Sequence, residues 1–190
     1  MQLKPLYSFL ADLADHNHRD WFNDHKVSYQ QLRSQFEVDV DYWFEQLRQL
    51  DPALAGPQGR KSIFRLNRDV RFSHNKAPYK THFSAYFTAS PGKDVDAPAY
   101  YVQIGPRGQT FIAGGFYQPD KYQLTAIRQE IDYDANKLRD LLADPDFRYF
   151  FPDLSGEALK KAPSGYPKDH LDIDLLRYKN YIVTHQLSRS

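Results

Sequence analysis

Between residues 60 and 82, seven Lys/Arg and two His stand against one acid, in a chain whose formal net charge is only +1. The cations are Arg60, Lys61, Arg65, Arg68, Arg71, Lys76 and Lys80, with His74 and His82 beside them and Asp69 as the acid. Guanidinium forks match phosphate or carboxylate oxygens two at a time, and lysine acts as a mobile point charge. The pattern points to an anion site, with Arg65, Arg68, Arg71, Lys76, Tyr79 and Lys80 as the expected ligand-binding set. Tyr79 would add a hydroxyl or a stacking surface. Nothing in the stretch specifies a reaction. Asp69 and His82 are the groups in it able to serve as acid or base.

Two other readings compete with the anion site. Basic side chains on a surface often pair with acids of a neighbouring helix, and Glu37, Asp39, Asp41 and Glu45 are on hand for that. Exposed pairs of this kind contribute only ~0–1 kcal/mol each. Cations interleaved with aromatic residues also describe platforms for single-stranded nucleic acid. The balanced total charge and the lack of a second basic stripe weigh against that partner.

Other chemistries find less support. His16, His18 and His25 with Asp20 and Asp24 lack the spacing of a metal site, so no metal is expected. There is no nucleophile elbow, phosphate-cradling glycine loop or dinucleotide fingerprint, so no cofactor is expected either. The chain has no cysteine, which excludes disulfides and thiol catalysis and is compatible with a cytoplasmic location. No apolar run approaches the ~18 residues of a membrane span, and no secretion signal is evident at the N-terminus.

These side chains need elements to position them. Pro5, Phe9, Leu10 and Leu13 predict a first short helix, and Asn17 with Asp20 predicts the cap of a second. Tyr29, Leu32, Phe36, Val40, Trp43, Phe44, Leu47 and Leu50 recur at steps of three and four, predicting an amphipathic helix over 28–50. Phe83, Ala85 and Phe87 alternate with Ser84, Tyr86 and Thr88, which predicts a half-buried strand. A polar loop from Ser90 to Pro98 follows. Tyr100–Ile104 and Thr110–Phe116 then read as a hairpin about Gly105–Gly108, with Gly114-Gly115 marking a bulge or a close backbone approach. Helices are expected after Pro119 and Asp134, a short helix near 172–178, and a last strand over 181–185.

The basic stretch itself poses a problem. As one strand, residues 63–72 would align Phe64, Leu66, Val70 and Phe72 as a core face with Arg68 in its middle, where an unpaired guanidinium is very costly. Either Arg68 meets a buried carboxylate or the strand breaks near 67–69; the break is the preferred reading, with Arg68 and Asp69 as a fixed pair at the base of the site. Charge is local as well: residues 1–59 carry net −4, residues 60–93 net +7 and residues 94–190 net −2. Length and a hydrophobic content of 41% fit a single α+β domain over 1–190: N-terminal helices, a central mostly antiparallel sheet, and further helices.

The segments NHRDWFNDHK (17–26), IFRLNRDVRFSHNKAPYKTHF (63–83), Gly114-Gly115 and KAPSGY (161–166) occur in that order. Together they resemble the bacterial and fungal family catalogued as domain of unknown function 2461, over nearly the whole chain. The resemblance implies one α+β domain and lends no catalytic residue. It also implies that Arg19, Asp20, Trp21 and Phe22 meet the basic stretch in space, and that similar proteins run on into a further helix beyond Leu187–Ser190. The expected function is binding of a small phosphate- or carboxylate-bearing ligand through residues 60–82. An enzyme acting on a phosphorylated small molecule through Asp69 or His82 is the first alternative, and a nucleic-acid or protein interaction module the second.

Overall fold

The computed structural model describes residues 3–54, 59–89 and 97–187. Most of the expected loop at 90–98 and the chain end at 188–190 lie outside the described residues. The architecture is α+β, as the alternation of periods predicts: helices first, a four-stranded antiparallel sheet, and helices after it. The sheet contains β1 (Phe83–Thr88), β2 (Ala99–Ile104), β3 (Phe111–Phe116) and β4 (Tyr181–Gln186), in the order β1-β2-β3-β4. No described helix is long and apolar enough to cross a membrane.

Two compact units divide the chain. The first comprises Met1–Lys93, Tyr100–Ile112 and Gln186–Ser190; the second comprises Asp94–Ala99 and Ala113–His185. The first unit is built on α1 (Leu3–Asp15), α2 (Arg19–Asp24) and α3 (Lys26–Leu50). Leu6, Leu10 and Leu13 of α1 are fully buried, as are Phe36 and Val40 in the stripe of α3. That stripe packs on the inward residues of β1, with Phe36 against Phe83 at 5.4 Å and Phe44 against Phe87 at 6.1 Å. Period 3.6 meets period 2 here, and each supplies one apolar face. Leu50, read as the end of the stripe, is 83% exposed because the helix outruns the core. The turn after β2 closes with Gln109 N–H donating to Pro106 O, and Arg107 and Gly108 take positive φ.

The second unit has its own core of Ile131, Ala135, Leu175 and Leu176, with Tyr166 and Tyr181 packed against it. Its helices are α4 (Lys121–Tyr133), α5 (Asn136–Ala143), α6 (Pro145–Phe150) and α7 (Ile173–Leu176). Pro119 precedes α4 rather than opening it. Asp120 is the cap, in a reciprocal box with Gln123, and this satisfies two otherwise orphaned donors. Gly115 has φ +121°, and a Cβ there would strike the Tyr181 carbonyl, so the glycine pair marks a close approach of β3 to β4. Arg139 ties α5 to the α7 region through Asp172 at 2.6 Å and Asp174 at 2.8 Å.

Candidate anion-binding site

The basic stretch begins as an extension of the sheet and then leaves it. Ile63 is bridged to Ala85, and Phe64 N–H donates to Ser84 O at 3.0 Å. Residues 63–72 are not one strand. At Asn67 the chain turns to a second partner, pairing antiparallel with Tyr79, and this bridge is flanked by Lys80 N–H to Leu66 O (2.8 Å) and Arg68 N–H to Pro78 O (2.9 Å). The outcome is a two-stranded clasp that closes a loop over residues 69–77. It also removes Arg68 from the apolar face that an unbroken strand would have imposed.

The clasp is held from outside by Asn17. Between two hydrogen-bonded pairs, the main-chain groups of Tyr79 point away from Asn67. The Asn17 carboxamide accepts from Tyr79 N–H and donates to Tyr79 O, both at 3.0 Å, and so substitutes for the next strand of a ladder. Asn17 therefore does not cap α2; His18 does, its Nδ1 accepting from Trp21 N–H. The Tyr79 ring stacks on Phe22 at 4.2 Å and is 7% exposed. Of Arg19, Asp20, Trp21 and Phe22, it is Phe22 that meets the basic stretch, at Tyr79, whereas Trp21 stacks on His25.

Within the loop, the polar groups satisfy one another. Arg68 donates to Ala77 O at 3.1 Å and to Ser73 Oγ at 3.4 Å. Asp69 accepts from Arg71 Nε at 3.0 Å, Nη2 at 2.7 Å and the backbone N–H at 3.2 Å. These bonds hold the Asp69 carboxyl below the usual carboxylate range. The expected Arg68–Asp69 pair does not form, because the Asx-type turn directs Asp69 onto residue 71. Lys76 Nζ donates to Val70 O at 3.0 Å. Phe72, which an unbroken strand would have placed in the core, is 96% exposed, since the period-2 pattern stops at the clasp.

Arg65, Lys80 and His82 are placed differently. Lys80 is half-buried with its ammonium 4.9 Å over the Phe64 ring. Burial lowers its pKa, and the charge of Arg65 lowers it further. His82 is pushed down to about 4 by burial, and by Lys80 after that. The turn after β2 crowds His82: a Cβ at Gly105 would lie 3.1 Å from its Cβ. Among the described residues, no carboxylate pairs with Arg65 or Lys80 and no hydrogen bond reaches the His82 ring, although Arg65 does lie within electrostatic range of Asp69. Elsewhere in the stretch, Arg60 is paired with Glu37 of α3 at 2.9 Å, and Glu37 also holds Arg33 at 3.2 Å.

An aromatic row begins at Phe64, beneath the Lys80 ammonium. Phe64 contacts Tyr86 at 5.2 Å and Tyr101 at 6.1 Å, and Tyr101 contacts Phe111 at 5.6 Å. Tyr86 alternates with the core residues Ala85 and Phe87, and Tyr101 precedes Val102, which packs on that core, so the row lies on the opposite face of the sheet.

The chain matches the family model described as conserved hypothetical protein, DUF2461, over residues 6–190. It belongs to that family. No curated protein and no solved structure matches it. In this DUF2461 chain, the motifs that first suggested the family fall at structural junctions: Asn17 and Phe22 at the clasp, Gly115 at the β3–β4 approach, and Tyr166 against the second core. Sequence reasoning missed Asn17 as a clamp and the row Tyr86, Tyr101 and Phe111. The alternation of β1 and β2 held the signal for Tyr86 and Tyr101. Nothing local signalled a bond from Asn17 across 62 residues.

Among the described residues, no group of three His, Asp or Glu is arranged to hold a metal ion.

Proposed function

We propose that this protein binds a small phosphate- or carboxylate-bearing ligand, and that Arg65 and Lys80 are the cations that receive it. One observation carries the reading: two cations sit within electrostatic range of each other, one of them half-buried, with no carboxylate paired to either among the described residues. The two cations repel each other and Lys80 loses hydration, and a bound anion relieves both costs. Arg68, Arg71 and Lys76 have donors engaged within the loop and do not hold the ligand, and Tyr79 supports it through the clasp.

The test is thermal shift with inorganic phosphate and with small carboxylates, on the wild type and on Lys80→Gln, Arg65→Gln and Arg71→Gln. Ligand at about a hundred times Kd stabilises by about 2.7 kcal/mol. The expected result is a concentration-dependent rise in Tm that Lys80→Gln and Arg65→Gln remove and Arg71→Gln keeps. Equal rises in all four proteins would reject the site. Because an anion stabilises the ammonium form, binding should also fade at alkaline pH as Lys80 deprotonates, below the ordinary lysine range.

A second reading uses the same site for phosphoryl chemistry, with His82 as base. It is favoured by the position of His82 beside Lys80; the ring is neutral near pH 7, and its low pKa of about 4 makes it a weak base. Hydrolysis of an activated phosphate ester that persists unchanged in His82→Gln would remove it.

A further inference from the structure

We infer that the ligand is an aromatic anion: a planar ring bearing the phosphate or carboxylate, with its ring laid along Phe64, Tyr101 and Phe111 while Lys80 and Arg65 hold the acidic group. This rests on the anion reading above and names the class of ligand within it. A row of aromatic side chains on the face of a sheet turned away from its core calls for explanation, since each ring could have been buried or replaced by a polar residue. Here the core face is already filled by Phe83, Ala85 and Phe87 against α3, so Phe64, Tyr101 and Phe111 are not needed there. The three rings are each at least partly exposed; Phe64 meets Tyr101 edge-on at 6.1 Å, and Tyr101 meets Phe111 in a tilted contact at 5.6 Å.

Charge fixes what such a row suits. The Lys80 ammonium stands 4.9 Å over Phe64, at one end of the row, and so couples the cation directly to the first ring. An acidic group drawn to Lys80 places whatever is attached to it over or beside Phe64. A planar ring attached there meets further aromatic surface at Tyr101 and Phe111. A purely inorganic anion would leave that surface unused, and an uncharged aromatic ligand would leave the cations unanswered. Tyr101 O–H donates to Gln103 Oε1 at 2.8 Å, which fixes the ring's tip, and Gln103 in turn donates to Gln109 O at 3.0 Å. The row is thus pre-ordered, which lowers the entropy cost of stacking a ligand on it.

The experiment compares four probes by calorimetry on the full chain: inorganic phosphate, phenyl phosphate, cyclohexyl phosphate and benzoate. Stacking on aromatic side chains is worth about tenfold or more in affinity. Phenyl phosphate should therefore bind about tenfold or more tighter than inorganic phosphate, and tighter than cyclohexyl phosphate, which has equal bulk and no π face. Phe111→Leu and Tyr101→Leu should each reduce the phenyl advantage while leaving the affinity for inorganic phosphate unchanged. Phe111→Leu keeps an apolar side chain at a half-buried position and so keeps the test valid if Tyr101→Leu fails to fold.

If no probe binds, the anion reading and this inference fall together. If phosphate binds and phenyl phosphate binds no more tightly, the anion reading stands and the aromatic inference is overturned. Equal gains for the phenyl and cyclohexyl esters would also overturn it, by showing apolar bulk rather than stacking. An unchanged phenyl advantage in Phe111→Leu and Tyr101→Leu would overturn it by placing the ring elsewhere. Benzoate binding that depends on Lys80 would support the carboxylate half of the class; its failure beside a strong phenyl phosphate signal would overturn that half and leave phosphate esters.

Discussion

Arg71 and Lys80 belong to one motif, carry the same formal charge and have opposite surroundings. The Arg71 side chain is 77% exposed and pairs with both oxygens of Asp69. Lys80 is half-buried, rests on an aromatic ring and has a second cation for a neighbour. Arg68 and Lys76 follow Arg71, since their donors bond groups inside the loop. Arg65 and His82 follow Lys80. A count of positive charge treats all of these alike, and what a ligand can use depends on which donors the chain has already engaged. The clasp at Asn67 and Tyr79 separates the two kinds. Residues between its arms serve the loop, whereas Arg65, Lys80 and His82 lie at or just beyond its ends, with Lys80 over the first ring of the aromatic row.

The sharpest way to break that division is to remove the clasp. Tyr79→Ala deletes a buried ring stacked on Phe22, and large-to-small changes of aromatic core residues cost ~3–5 kcal/mol. Urea denaturation should show a loss of that order, with Lys80 and the loop released together. A variant as stable as the wild type would mean that Tyr79 does not hold the two arms. Asn17→Ala tests the same junction more gently. It leaves the Tyr79 N–H and C=O without their partner, at a cost of ~1–3 kcal/mol. Amide exchange at Tyr79 should accelerate, while the backbone amides of α3 keep their protection. Unchanged exchange at Tyr79 would show that the carboxamide is not the clamp.

The next effect is smaller and depends on pH. His82 is neutral in the folded chain down to about 4, whereas the unfolded chain takes up its proton near the ordinary value of 6.5. The unfolded state therefore holds more protons between those values. The stability contributed by a neutral, half-buried His82 is complete above pH 6.5 and declines as pH falls towards 4. Solvent reaches part of the ring and moderates the effect. His82→Gln should flatten the stability profile between pH 6.5 and 4, measured by chemical denaturation. Asp69 and Asp174, whose pKa values are lowered, lose their contributions only as pH falls through values below 3.8, so the two windows are separable. An identical slope in wild type and His82→Gln would place His82 in solvent.

Much of the frame was legible because it rests on local periodicity. The stripe Leu32, Phe36, Val40 and Phe44 and the alternation of Phe83, Ala85 and Phe87 each follow from one element's geometry. The break in the basic stretch was legible too, from the cost of Arg68 on an apolar face. What escaped was non-local. Phe72 looked like core only while the strand pattern was extended past a clasp that pairs residue 67 with residue 79. Tyr79 looked like a ligand group because its burial depends on Phe22 from another element. Asn17 carried a plausible helix-cap signal, and its bond to Tyr79 won because that bond satisfies two backbone groups rather than one. Which cations remain free is likewise a property of the folded loop, and no spacing rule reports it.

The smallest expected effect bears most directly on the comparison of the two sets. If Arg71 is engaged by Asp69 and serves the loop alone, then Arg71→Gln should change neither anion affinity nor Tm beyond experimental error. Both partners lie at the surface, where an ion pair adds little. Asp69→Asn goes further, because it removes the charge opposing Arg71 and the Oδ2 acceptor of its Nη2, and leaves the guanidinium positive. Were the loop cations part of the binding surface, removing that opposing charge would strengthen phosphate binding and steepen its salt dependence. If instead Arg65 and Lys80 alone receive the anion, Asp69→Asn should leave the salt dependence almost as it was, with only the weak influence of Asp69 on Arg65 removed. A clear gain in affinity from Asp69→Asn would show that a ligand reaches the loop, and that the division at the clasp is one of structure and not of function.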